Sequence, residues 1–145
     1  MVMTVANILK VKGRIYKSVK PTETIREFAK HLKDERIGAM IVTTDGKALD
    51  GIISERDIAL GLAEHGDRLP NMKVSQLMTK RVEVCSPQDS IEEVMDMMTH
   101  RRIRHLPVQD EGELVGIVTI GDVVKAHLVE AHLTTTSRLT LARSA

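Results

Sequence analysis

The sequence predicts an α/β (α+β) fold of two tandem repeats, each with a small sheet and helices. The first observation is an internal repeat, in which residues 21–25, 36–42 and 49–58 recur as residues 87–91, 102–108 and 114–123. The second is that each copy passes from helical spacing of its apolar residues to short β-branched runs. Because a repeat decides the architecture, two copies in 145 residues indicate one closed pair and not a solenoid.

The length fits a single compact domain, or two small halves that share a core. We expect the first repeat at residues 1–70, the second at 71–133, and a C-terminal tail at 134–145, which is rich in Thr, Ser and Arg and is expected to fray. Residues 66–71 are the expected linker between the two repeats.

Composition excludes several classes of function. A net charge of +1 favours no nucleic-acid or membrane partner, and only Tyr16 and Phe28 could supply aromatic stacking for single-stranded nucleic acid. No apolar run is long enough to span a membrane, and the first residues lack the apolar core of a signal peptide. Cys85 is the single cysteine and cannot form an intramolecular disulfide. We therefore expect a cytoplasmic protein.

In chain order, each copy is predicted to begin with a short helix and a strand, at residues 5–9 and 15–19 and again at 74–78 and 82–85. A longer helix then starts at a capping box, which is Thr24 with Glu27 in the first copy and Ser90 with Glu93 in the second. One apolar face follows at spacings of three and four residues. Its members are Ile25, Phe28, Ala29 and Leu32, and then Ile91, Val94, Met95 and Met98.

Two short strands follow each of these helices. They are expected at residues 39–43 and 49–54 in the first copy, and at 105–108 and 114–119 in the second. Asp45-Gly46 and Glu111-Gly112 separate them, and an acidic-glycine step between apolar runs is typical of a hairpin. A final helix is expected from Asp57 to about His65 and from Asp122 to about Leu133, each with an aspartate where its charge suits the helix dipole.

The sharpest motif is Gly-x-x-Ser/Thr-x-x-Asp, at residues 51–57 and again at 116–122. In both copies a strand should end at the hydroxyl residue, Ser54 or Thr119, and a helix should begin near the aspartate. Such a site suits a ribose phosphate, since amides and the hydroxyl donate to phosphate while the carboxylate accepts from ribose hydroxyls. The alternative is plain helix capping, but the same place in both copies favours binding.

These paired motifs, the sequence His105-Leu106-Pro107-Val108 and the doubled order of elements resemble the CBS-domain pair, or Bateman module. The resemblance extends from Val5 to Val129 and is greatest to small stand-alone bacterial members. It implies repeats packed by their sheets with pseudo-twofold symmetry, and a homodimer formed through the outer helices. It also implies adenosine-containing ligands, namely AMP, ADP, ATP, S-adenosylmethionine or NAD(H), in clefts between the repeats, with no obligatory cofactor.

The resemblance also implies roles for individual residues. Asp57 and Asp122 would hold ribose hydroxyls, and Ser54 and Thr119 would contact phosphate or ribose. Ser18 would lie near the base, where the second copy has a valine. Apolar walls and backbone groups for adenine would come from Met40, Ile52, Leu106, Val108 and Ile117.

Arg104 and His105 resemble the cationic pair with which the family reaches phosphates, and the planar fork of arginine suits that role. The first copy has Gly38 and Ala39 at the same place, so the two sites should differ in phosphate binding. Two further cations, Arg56 and Arg102, are either additional phosphate ligands or solvated side chains.

The leading hypothesis is a non-enzymatic regulatory module, in which a bound adenine nucleotide alters repeat packing and so affects a protein partner that the sequence does not name. The alternative is a ligand-free structural or dimerisation module for a protein partner. An enzyme that acts on the nucleotide is a third hypothesis, although no nucleophile elbow, Walker loop or dinucleotide glycine motif occurs. No two of the six histidines have the i, i+4 spacing of a helical metal site, so no metal is expected.

Overall fold

The computed structural model describes residues 2–14 and 16–144, which form two compact units. The first-repeat unit contains residues 16–83 and 111–114, and the second-repeat unit contains residues 2–14, 84–110 and 115–144. The units therefore differ from a simple division at residue 70. The N-terminal segment belongs to the second-repeat unit, and the segment that follows residue 70 remains in the first.

Short helices at the start of each copy account for this exchange. Helix α1 (Val5–Lys12) buries Val5 and Leu9 in the core of the second-repeat unit, and the Val5 amide donates to the Asp89 carbonyl at 2.9 Å. Val74 starts the equivalent helix, is fully buried in the core of the first-repeat unit, and donates to the Glu23 carbonyl at 2.8 Å. The second-repeat unit thus contains α1, which precedes the first copy in the sequence. The first-repeat unit contains the helix that starts at Val74, which precedes the second copy.

The first-repeat unit contains a three-stranded sheet with helices. Its strands follow the order β1-β2-β3, with β1 parallel and β3 antiparallel to the central β2. The elements are β1 (Ser18–Val19), α2 (Ile25–Glu35), β2 (Ala39–Val42), β3 (Gly51–Ser54), α3 (Glu55–His65), a 3₁₀ helix (Gly66–Asn71) and α4 (Val74–Leu77).

The second-repeat unit contains most of a two-stranded sheet, β4-β5, although the turn between these strands and the first two residues of β5 belong to the first-repeat unit. Its further elements are α5 (Ile91–Arg101), β4 (His105–Asp110), β5 (Glu113–Thr119) and α6 (Ile120–Ser144). The predicted hairpin between its strands is confirmed, because Glu111 and Gly112 both have positive φ, at 51° and 81°, as a two-residue turn requires.

The predicted starts of the long helices are confirmed. The Glu27 amide donates to Thr24 Oγ1 at 3.2 Å, and the Glu93 amide donates to Ser90 Oγ at 3.1 Å. Phe28 and its neighbours on the apolar face enter the core, but the expected burial of Ala29 is wrong, since this residue is exposed.

The prediction of a strand at residues 82–85 is wrong. Only Cys85 forms a bridge, in which its amide donates to the Pro107 carbonyl at 3.0 Å and its carbonyl accepts from the Gln109 amide at 2.9 Å. The next rung of a parallel ladder would need an amide from Pro107, and proline has none. The strand predicted at 15–19 is reduced to Ser18–Val19, and Ile15 lies outside the described residues.

Two further expectations differ from the structure. The predicted linker at residues 66–71 is a 3₁₀ helix that buries Leu69 in the first-repeat core, so it is a packed element. Helix α6 continues through the predicted tail to Ser144, because the sequence after Gly121 contains no glycine or proline to end it. Among the described residues, no helix has the length and apolar content needed to cross a membrane.

Candidate ligand-binding sites

The alternation of side chains along β3 and β5 groups the predicted site residues. Ile53 and Val118 are fully buried in the cores of their units. Because successive side chains of a strand point to opposite faces, Ile52 and Ser54 lie on the face opposite Ile53, where both are half-buried. In the second-repeat unit, Ile117 and Thr119 are half-buried in the same way on the face opposite Val118.

Ser18 joins the first of these groups through strand pairing. It pairs with Ile41 on β2, and Ile41 pairs with Ile52 on β3. Residues paired in register present their side chains on the same face of a sheet. Ser18, Ile41 and Ile52 therefore form one row across the sheet, next to Ser54.

Each motif aspartate lies in the first turn of its helix, α3 or α6, and caps the start of that helix. Asp57 Oδ2 accepts from the Ser54 amide at 2.8 Å and from Ser54 Oγ at 3.3 Å. Asp122 Oδ2 accepts from the Thr119 amide at 2.9 Å, and the Asp122 amide donates to Thr119 Oγ1 at 3.2 Å. The capping role weighed from the sequence is thus present at both sites. A carboxylate has about four acceptor positions on two oxygens, so capping does not prevent it from accepting ribose hydroxyls.

The motif glycines make room for the segment that packs against each strand. A Cβ on Gly51 would lie 2.7 Å from the Thr79 carbonyl oxygen and 2.9 Å from Met78 Sδ. A Cβ on Gly116 would lie 2.9 Å from Leu9 Cδ2. Both distances are shorter than ordinary contacts, so both positions require glycine or a shift of the neighbour.

A lysine that was not predicted from the sequence lies at the second site, which is the group of Ile117, Thr119 and Asp122. The first site is the equivalent group of Ile52, Ser54 and Asp57. Lys12 Nζ, at the end of α1, donates to Asp122 Oδ2 at 2.8 Å and to the Ile117 carbonyl at 2.9 Å. The side chains of Lys12 and Asp122 are 30% and 23% exposed. Burial raises the pKa of Asp122, but the hydrogen bonds from Lys12 and Thr119 and the charge of Lys12 outweigh it, and the pKa is lowered.

The first site has a different arrangement at the equivalent place. There the backbone of Thr79 pairs with Ile52, with N···O distances of 3.0 and 2.9 Å, where Ile117 has the Lys12 ammonium. None of the ion pairs formed by described residues includes Asp57. The sequence shows this difference only in the spacing that follows the short helix of each copy. The segment from Val5 to Pro21 in the first copy is longer than the segment from Val74 to Pro87 in the second.

Three residues expected as apolar walls have side chains in the protein cores. Met40 is 3% exposed, and Leu106 and Val108 are fully buried. Their side chains pack within their own units, so any contact with a ligand would come from their backbone groups.

The cationic residues lie mostly at the surface. Arg56, Arg102 and Arg104 are exposed, and His105 is half-buried at the start of β4. The Arg104 carbonyl accepts from the Ile120 amide at 2.9 Å, which holds the Arg104 backbone beside the first turn of α6. This contact brings Arg104 close to the second motif. Arg102 ends α5 in a left-handed conformation with φ of 53°.

Neither a reactive cysteine nor a metal cluster accompanies these sites in the described residues. Cys85 is 3% exposed, and burial raises the pKa of its thiol to about 12, with a smaller contribution from the charge of Asp89. Over residues 2–14 and 16–144, no group of three or more His, Cys, Asp or Glu side chains is placed to hold a metal ion.

The fold and the candidate sites together define a class of protein. It is a tandem α/β repeat protein in which each copy has a Ser or Thr hydroxyl and an aspartate carboxylate at the start of the equivalent helix. The chain belongs to the CBS-domain family, whose model matches residues 11–64 and 74–129. The resemblance noted from the sequence is thereby confirmed. CBS-domain pairs are typically regulatory, non-catalytic modules.

Known proteins are similar over most of the chain. The mitochondrial CBS-domain protein CBSX3 of Arabidopsis thaliana is 31% identical over 144 residues, which cover 94% of this chain and 69% of that protein. The crystal structure of a CBS-domain protein from Agrobacterium tumefaciens has a TM-score of 0.83 and 39% identity, covering 88% of this chain and 95% of that one.

A third similar structure is the CBS-domain pair of the protein MJ0100 in complex with 5′-methylthioadenosine and S-adenosylmethionine. Its TM-score is 0.78 at 25% identity, covering 90% of this chain and 99% of that one. Both of its ligands contain adenosine.

Proposed function

We propose that this protein is a non-enzymatic regulatory module that binds an adenosine-containing ligand, such as AMP, ATP or NAD(H), at its two Ser/Thr-x-x-Asp motifs. The main support is that each repeat places a hydroxyl and a carboxylate at the start of the equivalent helix. The hydrogen bond from the Ser54 amide to Asp57 and the one from the Thr119 amide to Asp122 agree in length within 0.1 Å. Helix capping alone would not require the same pair in both copies. The adenosine ligands of the similar MJ0100 pair support the same proposal.

The chemistry of each site fits the parts of a nucleotide. Asp57 and Asp122 would accept from the vicinal hydroxyls of ribose, which donate best to an ionised carboxylate. The half-buried faces of Ile52 and Ile117 offer apolar surface for adenine. In the second-repeat unit, Arg104 beside the start of α6 would bind phosphate.

Regulation would follow from unequal affinity of the ligand for two packing states of the protein, because a ligand shifts an equilibrium only by that difference. The signal would pass to a protein partner. We also propose a homodimer, since helix α3 exposes Leu60 and Leu62 at 57% and 60%, and α6 exposes Val124 and Leu128 at 42% and 62%. The expected cytoplasmic location stays a prediction.

The proposal is tested by thermal unfolding of the protein with AMP, ADP, ATP, NAD, NADH and S-adenosylmethionine in turn. A ligand at 100 times its Kd stabilises by about 2.7 kcal/mol, which raises the Tm of a chain of this size by roughly 8 °C. Asp57→Asn and Asp122→Asn should each remove part of the shift while an amide oxygen still caps the helix. Asp96→Asn, on an exposed position of α5, is the control that should keep the full shift.

Two outcomes would contradict the proposal. No shift with any of these ligands would favour a ligand-free structural module, in which Asp57 and Asp122 act only as caps. Conversion of ATP or NAD by pure protein, lost in Asp57→Asn or Asp122→Asn, would instead indicate an enzyme. Recovery of the nucleotide unchanged after incubation is therefore part of the test.

A further inference from the structure

We propose that Lys12 competes with the ligand at the second site, so that an adenosine ligand engages both oxygens of Asp122 only when the Lys12–Asp122 ion pair opens. The inference rests on the proposed function, because it assigns a regulation to the same site. It makes the two sites unequal, because one oxygen of Asp122 already binds Lys12 while Asp57 forms no ion pair among the described residues.

The contacts of Lys12 are the basis of this inference. Its ammonium donates to Asp122 Oδ2 at 2.8 Å and to the Ile117 carbonyl at 2.9 Å. The Asp122 carboxylate is the group that would accept ribose hydroxyls, and Ile117 is expected to border adenine. A single ammonium thus already satisfies two acceptors that an adenosine would use. Vicinal hydroxyls would have to displace it to engage both oxygens of Asp122.

The ion pair is close and partly sheltered, yet it is able to open. The Lys12 side chain is 30% exposed and lies at the last residue of α1, directly before Gly13, whose φ is 93°. Partly exposed ion pairs contribute little free energy, so a ligand with moderate affinity can replace this one. The competition is therefore expected to weaken binding at the second site without preventing it.

The first site shows what the second would be without the lysine. There the Ile52 carbonyl accepts from the Thr79 amide at 2.9 Å, a backbone contact that does not involve the carboxylate of Asp57. No ion pair among the described residues includes Asp57. We therefore expect the ligand to fill the first site at lower concentration than the second.

The test measures binding by titration calorimetry in an Asp57→Asn background, so that the second site dominates. Lys12→Met removes the ammonium and keeps the stem, Lys12→Arg keeps the charge, and Lys10→Met is the control on the exposed part of the same helix. The probes are adenosine, which is neutral, AMP, which is anionic, and 2′-deoxyadenosine, which lacks one vicinal hydroxyl.

Lys12→Met should bind adenosine about two to five times more tightly than the parent, the range expected for an ion pair of this exposure. The gain should be smaller for 2′-deoxyadenosine. Lys12→Arg and Lys10→Met should bind adenosine like the parent.

Other results overturn the inference. Equal or weaker adenosine binding by Lys12→Met would show that Lys12 does not compete, and weaker binding of AMP alone would make it a phosphate ligand. In those cases the parent still binds, and the proposed function stands. If neither adenosine nor AMP binds to any variant or to the unmodified protein, the inference and the proposed function both fail.

Discussion

Alanine at the glycine of the first motif should damage the fold more than alanine at the glycine of the second. At Gly51 the added Cβ would meet the Thr79 carbonyl oxygen at 2.7 Å, and this oxygen also accepts from the Ile52 amide at 3.0 Å. Relief requires a movement of backbone that pairs with β3. At Gly116 the nearest atom is Leu9 Cδ2 at 2.9 Å, the end of a side chain that can rotate.

The magnitudes follow from the cost of overpacking, about 1–3 kcal/mol. Gly51→Ala should reach the upper part of this range, with a loss of about 2–3 kcal/mol in the free energy of unfolding. Gly116→Ala should lose at most about 1 kcal/mol, because the Leu9 side chain can rotate away and the lower entropy of the unfolded chain, which helps both variants, offsets much of what remains. At about 3 °C per kcal/mol, the Tm should fall by about 6–9 °C and by at most about 3 °C respectively.

Thermal unfolding followed by far-UV circular dichroism measures both variants under the same conditions. Equal losses, or a larger loss for Gly116→Ala, would refute the claim that the Thr79 backbone makes Gly51 the stricter position. Leu9→Ala is itself destabilising because Leu9 is buried, so the cause is checked by a double-mutant cycle, in which Gly116→Ala should cost less in a Leu9→Ala background than in the unmodified protein.

Three further predictions concern other parts of the chain. Thr24→Ala and Ser90→Ala should each lower the free energy of unfolding by about 1 kcal/mol in urea titrations, because each removes a helix cap; a loss near zero would show that the hydroxyls do not stabilise their helices. The thiol of Cys85 should resist a thiol reagent at pH 8 in the native protein and react after denaturation, since burial raises its pKa to about 12; rapid native labelling would contradict the described packing. The pKa of Asp122 is lowered, so its ion pair with Lys12 stabilises the fold above a pH of about 4, and this contribution is lost as the pH falls through the folded pKa. Lys12→Met should therefore lose at most about 1 kcal/mol in the free energy of unfolding at pH 7 and less at pH 3; a loss independent of pH would refute this contribution.

Local patterns predicted much of the fold. The hydroxyl caps at Thr24 and Ser90 correctly gave the starts of two helices, since capping depends on residues only three positions apart. The strand at residues 82–85 was predicted wrongly because its pairing depends on a distant amide that Pro107 lacks. The extent of α6 was also underestimated, because a polar composition weakens a helix prediction without ending the helix.

The motif residues that the two candidate sites share could be predicted from the sequence, but the residue that distinguishes the two sites could not. Repetition of Ser/Thr-x-x-Asp identified four residues that the structure does place at two helix starts. Lys12 was missed because its partner Asp122 lies far along the chain, and no local pattern relates the two. The side chains of Leu106 and Val108 were expected to face a ligand, but strand alternation turns both into the core.

The division of the chain into units has a consequence for the order in which the protein can fold during synthesis. Helix α1 leaves the ribosome before every other described helix and strand, yet the strands and helices that bury Val5, Ile8 and Leu9 come from residues after 84. The three apolar side chains must therefore wait in contact with water while residues 16–83 already contain nearly all of the first-repeat unit. Translation speed and chaperones that hold nascent apolar segments should thus affect the yield of the second-repeat unit more than that of the first.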